Sequence, residues 1–259
     1  MGKLIKADFY KILHTKYFYI CAALSALMAV LSVYAYNITV LESYGIYASF
    51  LNLNSSKAIL EGLPAFGTFL TIVISLFIPS DFSYGTIKNT IASGANRISI
   101  YFSKMTVSLT MLVIYAVICC VASFTTGSII WEVGEYTREI YIDLLQSISF
   151  YLFAYLALVS FYIMVGFLVR RSGITIAINI GIPLVELVLF KFINYALVTW
   201  LKIEDFTFND YLPSTYVSKA LNFSTLTSQE INTGLIVCGA WILVTTIIGI
   251  ITFKCRDIK

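Results

Sequence analysis

The sequence predicts an all-α integral membrane protein, and three observations carry that expectation. Its 259 residues are 59% hydrophobic and only 12% charged, with a mean hydropathy of +0.87, more apolar surface than a water-soluble domain could bury. The apolar residues gather into six runs that meet or approach the roughly 20 residues needed to cross a ~30 Å hydrocarbon core. The basic residues then concentrate in alternate intervals between those runs.

The first sixteen residues, "MGKLIKADFYKILHTK", place Leu4, Ile5, Phe9, Ile12 and Leu13 within about half of a helical wheel and Lys3, Lys6, Lys11 and His14 on the other half. This pattern predicts an N-terminal interfacial amphipathic helix over 1–16, apolar face down in the headgroup layer. The plainer alternative is a basic segment that only fixes topology. The first crossing, Tyr17 to Tyr36, exceeds the ~7 to 15 residue apolar region of a cleaved signal peptide and is expected to be retained. The second, Leu63 to Ile78, is short and should begin earlier, near Ser56. Four more follow: Met105 to Ile130, Leu145 to Val169, Ile174 to Phe190 and Gly234 to Phe253.

Orientation follows from the basic residues. With the N-terminus inside, Lys3, Lys6, Lys11, Lys16, Lys88, Arg97, Lys104, Arg170, Arg171, Lys254, Arg256 and Lys259 are cytoplasmic, twelve of seventeen Lys and Arg. That excess is what the positive-inside rule demands of short loops. Six transmembrane helices with both termini cytoplasmic then make one transmembrane domain over 1–259. Within the outer interval 191–232, the apolar stretch Phe192 to Leu201 is too short to span and suits a re-entrant or interfacial element, followed by a polar loop with Pro213.

Catalytic chemistry finds little footing. The chain has one histidine, His14, and no H-E-x-x-H, G-x-S-x-G or acidic metal cluster, so no catalytic or metal residue is assigned. It also lacks G-x-x-x-x-G-K-[ST]; any ATP, with its Mg, must be bound by another chain, and this one is expected to bind no cofactor. Nothing points to nucleic acid. The five cysteines form no C-x-x-C pair and suit small apolar fillers. The sequons at Asn37, Asn54 and Asn222 fall on expected outer loops.

Two features stand out against this apolar background. Glu186 follows Pro183 roughly a dozen residues past the inner end of the fifth run, about 18 to 20 Å deep at 1.5 Å per residue. A carboxylate there faces a translocation path, or else the outer boundary and water. The second feature is "PSDFSYGTIKNTIASGANRISIYFSK", residues 79–104, a cytoplasmic interval of some twenty-five residues, longer than an antiparallel turn needs. Pro79 is expected to end the second helix, Ser80 or Asp81 to cap a new one over Asp81 to Ala92, and Ser93-Gly94 to stop it. Tyr84, Lys88 and Ile91 would lie on neighbouring turns as a docking surface.

The order Asp81, Gly85-Thr86-Ile87-Lys88-Asn89, Arg97 and Lys104 resembles the loop between helices two and three of ABC-2 type permeases, the membrane subunits of one class of ATP-binding-cassette exporters. Asp81 stands where that family often has Glu, and Asp8 with Lys11 fits its acidic-then-Lys approach to the first crossing. The resemblance implies a coupling helix made of Asp81, Tyr84, Gly85, Thr86, Lys88, Arg97 and Lys104. Tyr84, Thr86 and Lys88 would touch a separate cytoplasmic ATPase subunit, and Arg97 and Lys104 would sit at the inner headgroup boundary. It implies a second permease subunit, a multi-pass place in a bacterial plasma membrane among its lipids, and ATP-driven export of an amphipathic substrate such as an antimicrobial peptide. The acidic outer residues Glu132, Glu135, Glu139 and Asp143 would suit a cationic one. The competing reading is an ATP-independent, proton-linked carrier centred on Glu186.

Overall fold

The computed structural model describes residues 2–44, 55–131, 138–201 and 208–255. Among these residues there are ten α-helices and no strand. They are α1 (Gly2–Leu13), α2 (Lys16–Tyr44), α3 (Ser55–Gly62), α4 (Phe66–Ser83), α5 (Thr86–Ala92), α6 (Arg97–Ile130), α7 (Arg138–Val169), α8 (Ser172–Leu201), α9 (Pro213–Ala220) and α10 (Ser228–Cys255). Among the described residues, five stretches are long and apolar enough to cross a membrane: Lys16–Ser43, Ser55–Ser83, Arg97–Ile130, Arg138–Val169 and Ser228–Cys255. The protein is therefore an all-α integral membrane protein. α8 is a further helix of 30 residues.

The long helices run up and down, so that one end of the bundle gathers Lys11, Lys88, Arg97, Lys104 and Lys254 and the other gathers Trp131 at the end of α6, beside Asn37 of α2, and α9 against α7. These are the basic end and the far end. The core forms where α4, α6 and α7 meet, through Phe66, Leu70, Ile74 and Phe77, Val107, Met111 and Tyr115, and Tyr151, Tyr155 and Ile163. α2 and α10 each turn one side to this core, through Cys21 and Ala29 and through Cys238 and Phe253, and expose Leu24, Leu27, Met28 and Leu31, and Ile236, Leu243, Ile247 and Ile251, on the other. Rows of exposed large aliphatics along long helices are unfavourable in water and suit hydrocarbon.

Several boundaries differ from the expected ones. The second crossing does begin at Ser55, with a 3-10 turn at Leu63–Ala65 joining α3 to α4. Pro79 does not end it: the helix runs on to Ser83. A proline removes one backbone bond and crowds the preceding turn, and here the packing of α4 against α7 and α8 outweighs that cost. α6 starts at Arg97, eight residues before its apolar run, because the Asn96 side chain accepts from the Ile98 amide at 3.0 Å and caps it. Phe192–Leu201, expected as a separate re-entrant or interfacial element, continues α8 as unbroken helix. Asn37 sits on α2 and not on a loop, and its side chain accepts from the Trp131 indole at 2.8 Å. α1 is amphipathic, but its apolar face meets the bundle: Leu4, Ile5 and Phe9 pack on the core and Ile12 is buried, while Leu13 is exposed. Glu132, Glu135, the sequon residue Asn54, Arg256 and Lys259 lie outside the described residues.

Candidate functional site

The residues singled out in 79–104 separate into an outward set and an inward set. α4 ends at Ser83, Tyr84 and Gly85 make the turn, and Gly85 takes φ of +69°, a left-handed conformation natural to glycine, before α5 begins. The short helix buries Ile87, packs Ile91 inward and turns Lys88 and Asn89 to solvent. Tyr84 is 78% exposed. Ile91 is therefore part of the packing and not of the expected outer face. α5 ends at Ala92, followed by Gly94 at φ +88°, the stop the sequence indicated.

Asp81 and Lys104 face the other way. The Lys104 ammonium bridges Asp8 of α1 and Asp81 of α4, with its side chain only 2% exposed, and lies 4.1 Å from the centre of the Phe77 ring. Lys11 of α1 pairs with the second Asp81 oxygen and donates to the Ser80 hydroxyl at 3.3 Å. Ser103 donates to Asp8 at 2.6 Å, and Thr86 donates to the Asp81 carboxylate at 2.9 Å and to the Asp81 backbone carbonyl at 3.1 Å. Two carboxylates meet two ammonium groups, so the cluster is neutral and each charge has a partner. That is the condition under which burial of ions is tolerated. Lys104 accordingly sits inside the protein and not at a headgroup boundary, and Asp81 holds ion pairs and not a helix cap.

The cluster joins four elements that are distant in sequence, with α1, α4, the start of α5 and α6 meeting at one point. Arg97 adds a fifth: its guanidinium donates to the carbonyls of Phe253 and Lys254, at 3.0 and 2.9 Å, at the C-terminal end of α10. A cation there satisfies carbonyls that the helix leaves open and opposes the negative end of its dipole. The expected headgroup contact of Arg97 is replaced by this internal one. Sequence reasoning did not include Asp8 or Lys11 in the site. The signal was available, because among the described residues Asp8 and Asp81 are the carboxylates of an otherwise basic end and must find cations if buried.

Glu186 and Pro183 lie apart from this cluster. Pro183 is exposed within α8, which continues through it. Glu186 is half-buried and hydrogen-bonded to Ser214 in the first turn of α9. α9 packs on α7 at the far end, where Tyr216 meets the Phe150 ring. A polar seam runs inward from that level: Tyr155 donates to the Gly67 carbonyl at 2.7 Å, and Asn179 donates to Ser75 at 2.8 Å. Among the described residues no group of three His, Cys, Asp or Glu gathers as a metal site.

A family model described as ABC-2 family transporter protein matches residues 4–186. The chain belongs to the ABC-2 transporter family. Comparison with curated proteins gives no match. The matched stretch runs from α1 to Glu186 and contains the whole charge cluster and the α5 loop. An ABC-2 permease is the membrane component of an ABC transporter and not its ATPase, and membership implies association with an ABC ATPase partner.

Proposed function

We propose that this permease exports an amphipathic substrate across the membrane, driven by ATP hydrolysed on a separate cytoplasmic subunit that docks on α5. The observation that carries this reading is the two-sidedness of the loop. Its outer side offers Tyr84 and Lys88 to a partner, while its inner side is tied through Asp81 and Thr86 to α1, α4 and α6. A push on α5 would reach three helices through ion-paired, hydrogen-bonded contacts, and a rigid joint of that kind can tilt helices as a unit. In this reading the basic end is cytoplasmic, α8 supplies a sixth crossing in a bacterial plasma membrane, and a second permease subunit completes the pathway. The exposed Glu139 and Asp143 at the start of α7 favour a cationic substrate, such as an amphipathic peptide, by steering.

Pull-down of the tagged chain from native membranes in mild detergent tests the docking. Wild type should recover an ATPase, and Tyr84→Ala with Lys88→Glu should lose it at equal recovery of the chain. An absent ATPase after crosslinking would remove the coupling role from α5 and turn attention to Glu186 as a proton-linked carboxylate. Orientation has its own test, because Cys255 is exposed whereas Cys21, Cys119 and Cys238 are buried. A membrane-impermeant maleimide should label Cys255 in inside-out vesicles and spare it in right-side-out cells; the reverse pattern would invert the topology.

A further inference from the structure

α8 carries a polar stripe. Thr175 and Asn179 are fully buried and Glu186 is half-buried, and on a helix turning 3.6 residues per turn the three fall within about 40° of one another. Glu186 stands two turns beyond Asn179, roughly 10 Å along the axis. Hydroxyls of two other helices meet this stripe. Asn179 donates to Ser75 of α4 at 2.8 Å, and the charge of Glu186 reaches Tyr162 of α7, which hydrogen-bonds with Thr71 and Tyr155. Tyr162 is 4% exposed, and the Thr71 and Tyr155 hydroxyls lie 3.5 Å apart.

Polar side chains between apolar helices often serve only to tie the helices together. Mutual pairing does not account for two members of this stripe. Asn179 Oδ1 is enclosed by protein and accepts no hydrogen bond among the described residues, and buried polar atoms are rarely left so. Glu186 is the second. Ser214 donates to its carboxylate, but no cation pairs with it among the described residues, and Lys219 of α9 is held by Asp210 and Glu230. An unpaired carboxylate on an apolar helix is costly and marks a substrate or ion route. Glu186 is also reachable, since it is not fully buried and its neighbour Val185 is 50% exposed. Val185 ends an apolar row on α8 with Ile174 and Ile178, each at least partly exposed, that runs beside the polar stripe.

From this juxtaposition we infer that Glu186 binds the ammonium group of a cationic amphiphile, with Ser214 orienting the carboxylate and the row Ile174, Ile178 and Val185 carrying the tail. An alkylammonium offers three donors, and its charge favours the ionised carboxylate. A head and a tail are both needed, because the acid sits beside apolar side chains and not in a polar cleft. The inference rests on the export of a cationic amphipath proposed above and names the group of this chain that takes its charge.

Retention of tritiated dodecylamine by the full chain, purified alone in neutral detergent and read by scintillation proximity, tests the site. Glu186→Gln keeps the shape and removes the charge, and should weaken retention about tenfold, the scale of one charge-assisted hydrogen bond. Glu186→Asp should retain more than Glu186→Gln, and Glu230→Gln, at an exposed carboxylate, should match wild type. Thermal midpoints without the amine establish that each variant is folded. Unlabelled dodecylamine should compete, whereas dodecanol, a tail without charge, and propylamine, a charge without tail, should not. Unchanged retention in Glu186→Gln, or an equal loss in Glu230→Gln, overturns the site. Competition by propylamine as strong as that by dodecylamine overturns the amphiphile in favour of a small cation, and equal competition by dodecanol overturns the role of charge. The assay contains no ATPase. Failure of retention with an ATPase still recovered by pull-down would therefore refute the site and spare the exporter reading, and retention without a recoverable ATPase would uphold the site and refute that reading.

Discussion

At the basic end Lys104 is 2% exposed and held between two carboxylates, whereas at the far end Lys219 is 30% exposed and reaches Asp210 and Glu230 at 3.4 and 3.3 Å. Both are lysines bridging two acids, yet they do different work. Water can replace the partners of Lys219 with little loss, while the Lys104 side chain is shut off from water. The far end instead takes its order from side-chain hydrogen bonds to backbone groups. Trp241 donates to the Tyr211 carbonyl at 2.9 Å, Tyr216 donates to the Asp210 carbonyl at 2.8 Å, and Thr227 with Glu230 forms a capping box at the start of α10. The contrast shows that an ion pair fixes geometry only where solvent is excluded, and that this chain places such a pair at the joint between its N-terminal helix and its candidate docking loop.

The largest test of this contrast is Lys104→Met. It leaves Asp8 and Asp81 facing each other with Lys11 as their remaining cation, and removal of one member of a buried pair costs about 3 to 5 kcal/mol. The thermal midpoint of the purified chain in detergent should fall sharply. Adding Asp8→Asn and Asp81→Asn should recover most of the loss, because no carboxylate is then buried without its cation and Lys11, 29% exposed, can turn to water. If the triple variant is no more stable than Lys104→Met, the cluster contributes through side-chain packing on Phe77 and not through charge balance.

A middle-sized effect is expected at Arg97, which is only partly buried. Arg97→Gln deprives two carbonyls at the end of α10 of a charged donor, worth about 1 to 2 kcal/mol locally. Hydrogen exchange should rise in the last turn of α10 and remain unchanged in α4. Equal loosening of both helices would show that Arg97 belongs to the Asp8–Asp81 joint and that the basic end is one cooperative unit.

How much of this was legible in the sequence follows from the range of each interaction. The long helices were readable because a run such as Met105 to Ile130 carries its signal within itself, and Gly94 acts on its nearest neighbours, whereas the Asn96 cap was passed over. The amphipathic pattern of α1 was visible as well. Its destination was not, since Leu4, Ile5 and Phe9 would suit lipid or protein equally, and the eight-residue extension of α6 below its apolar run, which supplies protein for α1 to pack on, was not foreseen. Pro79 misled because local preference was given more weight than the packing of α4. The charge cluster was half visible: Asp81 and Lys104 drew attention as unusual residues, but pairs separated by seventy to nearly one hundred positions, such as Lys11 with Asp81 and Asp8 with Lys104, depend on the way the helices stack. Glu186 was recognised as an anomaly, whereas its Ser214 partner comes from a short helix that no periodic pattern announced.

The smallest effect is expected at Lys219, and it is the one that isolates solvent access. Partial burial alone would lower its pKa, but the hydrogen bond to Glu230 and the charge of Asp210 outweigh this and raise it above the ordinary lysine value. As pH rises, the unfolded chain releases that proton first, near ~10.4. The stabilisation is therefore complete below that pH and disappears as pH passes through the higher folded value. For an exposed arrangement it should amount to less than about 1 kcal/mol and shrink in salt. The difference in thermal midpoint between wild type and Lys219→Ala should accordingly be small and flat from about pH 6 to about 9 and vanish in stronger alkali. A loss as large and salt-resistant as that of Lys104→Met would mean that the far end excludes water around Lys219 in the membrane. The two lysines would then share one role at opposite ends of the bundle, and burial would no longer separate them.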